Sequence, residues 1–159
     1  MSLNFEEFDK EIHSMPAKVQ ASLRKIAVQV GHTAEADFEG HFNEQGMNGK
    51  KWKEVNRRKP GTKEYKYPKT KDLQRRKRNI LISKNATLKK SVGKSYKGFT
   101  AEKDKVTVHM RVDEQSGKEH AIYLQEGTEK MVARPFVGET PELDNKITGI
   151  IEDNINLDK

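Results

Sequence analysis

The sequence predicts an α+β protein in which a long N-terminal helix packs on a small antiparallel β-meander, with a C-terminal amphipathic helix. Two patterns carry this prediction. Apolar residues recur at every third or fourth position over residues 19–42, and apolar and polar residues alternate over residues 106–113. The chain of 159 residues fits a single domain, 1–159. Leu, Ile, Val and Phe together contribute only 33 residues, so we expect a small core that favours association with a partner or with copies of itself.

The N-terminal part predicts two helices. Asn4 and Glu7 have the spacing of a capping box, and Phe5, Phe8 and Ile12 follow on one helical face. A second helix of about 25 residues is predicted from Pro16 by an apolar stripe comprising Val19, Leu23, Ile26, Val30, Ala34, Phe38 and Phe42. Such a helix is about 38 Å long, which exceeds the width of a small domain. Its stripe must therefore face a sheet or another subunit.

The remainder predicts a short helix, three strands and a final helix. Residues 70–72 resemble a helix cap, with the helix reaching Leu81. Residues 91–99, 105–113 and 120–125 are rich in β-branched and aromatic residues and predict a three-stranded antiparallel meander. Thr140 and Pro141 predict the start of the last helix. Its apolar face comprises Leu143, Ile147, Ile150, Ile151 and Ile155.

The positive charge of the chain is concentrated in residues 50–78. This segment has 14 basic and 3 acidic residues, whereas residues 1–49 have a net charge of −4 and residues 79–159 a net charge of zero. We expect a mobile, solvated loop inserted between the long helix and the sheet. Its candidate contacts to phosphate groups or to an acidic protein partner are Arg57, Arg58, Arg75, Arg76, Lys77 and Arg78.

The residues do not predict an enzyme. The chain has no cysteine, which excludes disulfides, thiolate metal sites and cysteine nucleophiles. His32, Glu35 and Glu39 share a helix face, but a second histidine is missing, so we expect no metal. Glu64 and Lys66 resemble the carboxylate–lysine pairs of metal-dependent nucleases, but the second carboxylate that two metal ions need is not placed. We therefore expect no catalytic, cofactor-binding or metal-binding residue. No stretch approaches the roughly 18 apolar residues that cross a bilayer.

Three stretches, in order, resemble a known family. They are residues 42–52 (FNEQGMNGKKW), residues 80–92 with ILI and LKKSV, and residues 120–138 (HAIYLQEGTEKMVARPFVG). Together they resemble the phage virion morphogenesis family, the Mu-type tail completion and head–tail joining proteins. The resemblance implies a non-enzymatic phage or prophage assembly protein, a tail-completion or neck component without a cofactor. It also implies docking to other tail or neck proteins, a homo-oligomeric, six-fold ring, and a place in the virion tail or neck after assembly in the host cytoplasm.

The loop in the third stretch holds the candidate partner contacts Gly127, Thr128, Arg134 and Phe136. Gly127 after a strand predicts a turn with positive φ, in which Thr128 bonds its own backbone. Arg134 precedes Pro135 and should be extended, with an exposed side chain that is directed away from the turn and available to a partner. The alternative is a purely structural loop that is held by one aromatic ring. Replacing Arg134 by alanine should then leave the melting temperature nearly unchanged, whereas the Phe136 ring should anchor the loop in the core. The alternative interpretation is a nucleic-acid-binding or nuclease-like protein that uses residues 50–78.

Overall fold

The structure is a computed structural model that describes residues 17–67, 73–101, 105–112 and 120–155. It confirms the α+β class. The helices are α1 Ala17–Glu44, α2 Lys63–Lys66, α3 Thr87–Val92, α4 His120–Glu126 and α5 Pro141–Ile155, and the strands are β1 Gly46–Met47, β2 Lys50–Lys51, β3 Tyr96–Ala101 and β4 Val106–Met110. Two 3₁₀ turns, Asn56–Arg58 and Leu73–Arg76, lie in the basic segment.

Helix α1 confirms the long predicted helix. It has 28 residues, which corresponds to about 42 Å. Ile26, Phe38 and Phe42 of the predicted stripe are buried, whereas Val19 near the start of the helix is 44% exposed. The helix ends before Gln45, whose φ of 54° turns the chain into the β1–β2 hairpin. The capped helix predicted over residues 4–12 lies outside the described residues.

Helix α5 confirms the predicted C-terminal helix and runs antiparallel to α1. Thr140 caps it, because the Thr140 Oγ1 atom accepts a hydrogen bond of 3.1 Å from the first turn. Near the start of α5, Lys146 Nζ lies 3.1 Å from Asp37 Oδ1. Near its end, Asn154 Nδ2 donates to Gln29 Oε1 over 2.9 Å. These two contacts fix the direction of α5 along α1.

The predicted three-stranded meander is wrong in its third strand. Strands β3 and β4 form an antiparallel pair with Ala101 opposite Val106, but residues 120–126 form helix α4. Ala121 and Leu124, three positions apart, pack on the core, whereas Ile122 between them is 49% exposed. This three-residue spacing is helical, and strand-forming residue types alone gave the wrong assignment.

Two further boundaries differ from the prediction. The first strand begins at Tyr96 instead of residue 91, because the buried Val92 belongs to helix α3. The short helix predicted to reach Leu81 is present only as the 3₁₀ turn Leu73–Arg76, and its predicted cap at residues 70–72 lies outside the described residues. Its predicted end is wrong, because Leu81 has a φ of 61° and the Ile80 amide donates to Gln45 Oε1 over 3.2 Å. The chain therefore turns away from a helical path to pack beside the end of α1.

One apolar core joins these elements. Its buried members are Ala34, Phe38, Phe42, Trp52, Ile80, Val92, Phe136 and Leu143. The ring of Phe42 lies at its centre, with centroid distances of 5.4 Å to Phe136 and 5.8 Å to Trp52. Edge and tilted contacts of this kind add about 0.5–1.5 kcal/mol per pair beyond the buried area.

Two glycines of α1 give a matched test of how the helix packs on the β3–β4 hairpin. A Cβ atom at Gly31 would lie 2.3 Å from a ring carbon of Tyr96, whereas a Cβ atom at Gly40 meets nothing within 4 Å. Gly40→Ala should raise the free energy of unfolding by about 0.5–1 kcal/mol, because alanine favours helices. Gly31→Ala should instead lower it by about 1–2 kcal/mol, because the Tyr96 ring must move. Urea denaturation measures both, and equal effects in the two variants would contradict the packing of Tyr96 on Gly31.

Candidate docking surface

The turn after α4 is built on Gly127, as the sequence predicts. Gly127 has a φ of 81°, and a Cβ atom there would lie 2.7 Å from the Ala133 amide nitrogen and 2.8 Å from the Met131 carbonyl oxygen. Thr128 and Met131 exchange two backbone hydrogen bonds of 2.8 and 3.0 Å. The Thr128 hydroxyl also accepts a bond of 3.3 Å from the Lys130 amide. The turn is therefore closed by its own backbone.

Gln125 holds the chain that follows this turn. Its Oε1 atom accepts hydrogen bonds from the amides of Phe136 and Val137 over 2.9 and 3.2 Å, and its Nε2 atom donates to the Val137 carbonyl over 2.6 Å. The amide side chain thus makes the backbone hydrogen bonds that a neighbouring strand would otherwise make. Gln125 was not predicted as a site residue, because the assignment of residues 120–125 to a strand conceals that Gln125 lies one helical turn after Ala121.

The Arg134 side chain is buried, so the prediction of an exposed arginine is wrong. Only 9% of the residue is exposed. Its Nε and Nη2 atoms donate to the Lys53 carbonyl over 3.3 and 3.2 Å, and Nη1 donates to the Val132 carbonyl over 3.3 Å. The backbone amide of Arg134 donates to the Leu124 carbonyl over 2.7 Å. Arg134 therefore connects the loop to the segment after β2 and is a structural residue.

The prediction that Phe136 anchors the loop is confirmed. Phe136 is 1% exposed, and its ring packs on Phe42. The Trp52 indole donates to the Pro135 carbonyl over 2.8 Å, and His41 Nδ1 donates to the Phe136 carbonyl over 3.0 Å. Buried polar groups are costly when they lack partners. Here the partners fix residues 134–137 in one conformation.

Large apolar side chains remain exposed on this rigid segment. Ile122 and Tyr123 on α4 are 49% and 46% exposed, and Val132 after the turn is 46% exposed. Single exposed apolar residues are common on protein surfaces. Three of them within eleven positions, on a segment fixed by Gln125 and Arg134, form a candidate contact surface for another protein.

A basic groove borders the same loop. It has a volume of about 830 Å³ and is lined by eight basic and two acidic side chains, a net charge of +6. The loop contributes Lys130, Met131, Val132 and Arg134 to one wall. The rest of the groove lining comes from residues 53–67 and from Arg75 and Arg76. The groove therefore joins part of the basic segment to the loop, which the sequence analysis treated as two separate sites.

Arg57 and Arg58 are held by internal contacts, although the sequence analysis placed them among the candidate phosphate ligands. Arg57 donates to the carbonyls of Arg75 and Asn79 over 3.1 and 3.0 Å. Arg58 Nη1 donates to Gln45 Oε1 over 2.6 Å. Burial, followed by the nearby charges of Arg75 and Arg58, lowers the pKa of Arg57. Several positively charged side chains therefore lie close together around Arg57.

Of the four other candidate residues in the basic segment, two line the groove and two do not. Arg75 and Arg76 line the groove, and the Arg76 guanidinium lies 4.6 Å from the centroid of the Tyr65 ring. The buried Nε atom of Arg76 has no hydrogen-bond partner within the described part of the chain. Lys77 and Arg78 do not line this groove. Whether the segment is mobile in solution stays a prediction.

The described residues do not assemble a metal site. No group of three His, Asp or Glu side chains is placed to hold an ion in residues 17–67, 73–101, 105–112 and 120–155. His32 contacts Glu35 over 2.9 Å, but the other oxygen of Glu35 accepts the Tyr96 amide over 2.7 Å. Glu64 lies exposed on the short helix α2. Within the same ranges, no helix has both the length and the apolar character needed to cross a bilayer.

Comparison of the chain with family profiles, with curated proteins and with solved structures finds no match.

Proposed function

We propose that this protein is a non-enzymatic assembly component of a tailed phage or prophage, a tail-completion or neck protein that acts by docking to other tail or neck proteins. One observation carries the proposal. Ile122 and Tyr123 on α4 and Val132 on the loop that follows are exposed, and Val132 also lines a groove of net charge +6. A rigid apolar surface with a charged border is typical of protein interfaces.

The placement of the three resembling stretches supports the proposal. The first supplies Phe42 and Trp52 to the core, the second supplies Ile80 and Val92, and the third supplies Phe136. The first and third are also joined by the Trp52 indole, which donates to the Pro135 carbonyl. The residues that carry the resemblance are therefore the ones that build the core and fix the loop, as expected if they specify a common fold.

The basic groove favours a second candidate, a nucleic-acid-binding protein. Each phosphate contact contributes about −0.9 to the log–log salt slope on duplex DNA. For a docking protein we expect weak DNA binding without sequence preference, with a dissociation constant of about 1–100 µM at physiological salt. For a dedicated DNA-binding protein or nuclease we expect nanomolar binding, or magnesium-dependent cleavage that Glu64→Gln abolishes.

The test of the proposed function is a gene deletion in the phage or prophage, complemented from a plasmid. Without the gene, electron microscopy should show separate heads and unfinished tails, and the infectious titre should fall by about a thousandfold or more. The double variant Ile122→Ser, Tyr123→Ser should fail to restore the titre, because a desolvated apolar contact is lost. The matched control Val19→Ser changes a valine of similar exposure (44%) on α1 and should restore it.

Two results would contradict the proposal. The first is normal joined particles in the absence of the gene. The second is purified wild-type protein that cleaves DNA with magnesium, with the activity lost in Glu64→Gln. The melting temperature of each variant is measured alongside, so that a folding defect is not read as a docking defect.

A further inference from the structure

We infer that the basic groove binds the acidic N-terminal segment of a second copy of this chain, and that this contact joins neighbouring copies head to tail. The inference deepens the proposed function, because it rests on that function and on the homo-oligomer that the resemblance implies, and it names the surface that forms the oligomer. Six of the groove-lining side chains carry this inference: Val55, Lys59, Lys63, Lys130, Met131 and Val132.

The groove has positive charge that the described chain does not neutralise. Eight basic and two acidic side chains line it. Lys59, Lys63 and Lys130 make no side-chain hydrogen bond or ion pair within the described residues, and the buried Nε of Arg76 has no partner there. Uncompensated like charges repel one another and favour an anionic occupant. The floor also includes the apolar side chains of Val55, Met131 and Val132, so the occupant should be apolar on one face.

Residues 1–16 have the complementary composition. They contain four acidic residues and one basic residue, and Phe5, Phe8 and Ile12 follow the spacing of one helical face. With about 100° between successive residues of a helix, Asp9 and Glu11 flank this apolar face on its two sides. A segment of this pattern would place its apolar face on the groove floor and its carboxylates against the basic walls.

The distances exclude docking within one copy. The groove lies near the end of α1, because two of its lining residues, Lys53 and Arg57, are next in the chain to Trp52 and Arg58. The Trp52 amide donates to the Gln45 carbonyl, and Arg58 donates to Gln45 Oε1. From Ala17 to Gln45 the 28 residues of α1 extend about 42 Å. Asp9 and Glu11 precede Ala17 by only eight and six residues. Even a fully extended chain of eight residues spans no more than about 29 Å. The segment therefore reaches the groove of a neighbouring copy, and such a head-to-tail contact closes into a ring when its rotation allows.

The experiment uses two charge-reversed full-length chains and measures their mass by light scattering during size-exclusion chromatography. The groove variant carries Lys53→Glu, Lys59→Glu, Lys63→Glu and Lys130→Glu, which change the charge of the groove lining from +6 to −2. The segment variant carries Asp9→Lys and Glu11→Lys, which change the charge of residues 1–16 from −3 to +1. The wild-type chain should form oligomers at low salt that dissociate as salt screens the contact. Each variant alone should weaken association by at least about a hundredfold, because like charges then face each other. Mixing the two variants should restore oligomers of alternating composition, since every groove again meets a segment of opposite charge.

The control carries Lys25→Glu, Lys84→Glu, Lys90→Glu and Lys94→Glu, the same change of charge at four exposed lysines that do not line the groove. It should associate like the wild-type chain. Oligomers that persist in both variants would overturn this interface while leaving a ring-forming tail protein intact. The inference would be overturned if the wild-type chain stays monomeric. It would also be overturned if the groove instead binds a 20-base-pair duplex with nanomolar affinity and this binding is lost only in the groove variant. The infectious titre of the gene deletion tests the proposed function separately.

Discussion

Phe136→Ala should lower the free energy of unfolding by about 3–5 kcal/mol, the cost of removing a buried phenylalanine ring. The ring is 1% exposed and lies 5.4 Å from the Phe42 ring at the centre of the core. Neighbouring side chains are fixed by hydrogen bonds from Trp52 and His41 to the same loop. They cannot collapse fully into the space, so a cavity remains.

Thermal and urea denaturation measure this effect. For a chain of this length, 1 kcal/mol corresponds to about 2–4 °C in melting temperature, so the shift should be about 6–20 °C. Val132→Ala is the matched control, because Val132 lies in the same loop but is 46% exposed, and its effect should stay within about 0.5 kcal/mol. A loss below about 1 kcal/mol for Phe136→Ala would show that the ring is not a core residue.

Arg134→Ala should lower the free energy of unfolding by about 2–4 kcal/mol, in contrast to the negligible effect expected of an exposed arginine. The variant leaves the carbonyls of Lys53 and Val132 without the donors they have now. Hydrogen bonds to charged groups contribute about 1.5–3 kcal/mol, and unpaired buried groups add a cost. The same substitution should loosen the connection between the loop and residue 53.

The matched control for this variant is Lys130→Ala, a basic residue that is exposed in the same turn. It should change the free energy of unfolding by less than about 0.5 kcal/mol. Arg134→Lys should recover only part of the loss, because an ammonium group cannot donate through a planar fork to two carbonyls. Equal stability of Arg134→Ala and Lys130→Ala would mean that Arg134 is exposed in solution.

The parts of the fold that were predictable from the sequence are those that short-range patterns specify. The stripe ending at Phe42 and the cap at Thr140 depend on spacing within one helix, and Gly127 depends on a local turn. Helix α4 was missed because Ile122 and Tyr123 are typical strand residues. A segment of seven residues is also too short for its hydrophobic periodicity to distinguish a helix from a strand.

The contacts that fix the loop were not predictable, because they join distant parts of the chain. Arg134 is buried only because the Lys53 carbonyl, 81 positions away, accepts its guanidinium. Arg57 likewise donates hydrogen bonds to carbonyls that lie 18 and 22 residues further along the chain. An arginine in a basic run has the same sequence signature whether it faces solvent or a carbonyl, so the distinction requires the folded chain.

The proposed place of the protein in the neck or tail of a virion can be tested by locating the protein in purified particles. Gold-labelled antibodies against the protein, viewed by negative-stain electron microscopy, are the measurement, with particles from the gene deletion as the labelling control. If the proposal is correct, label should be found at the tail end or at the head–tail junction of assembled particles. Particles that carry no label, while the protein stays in the lysate bound to DNA, would contradict it.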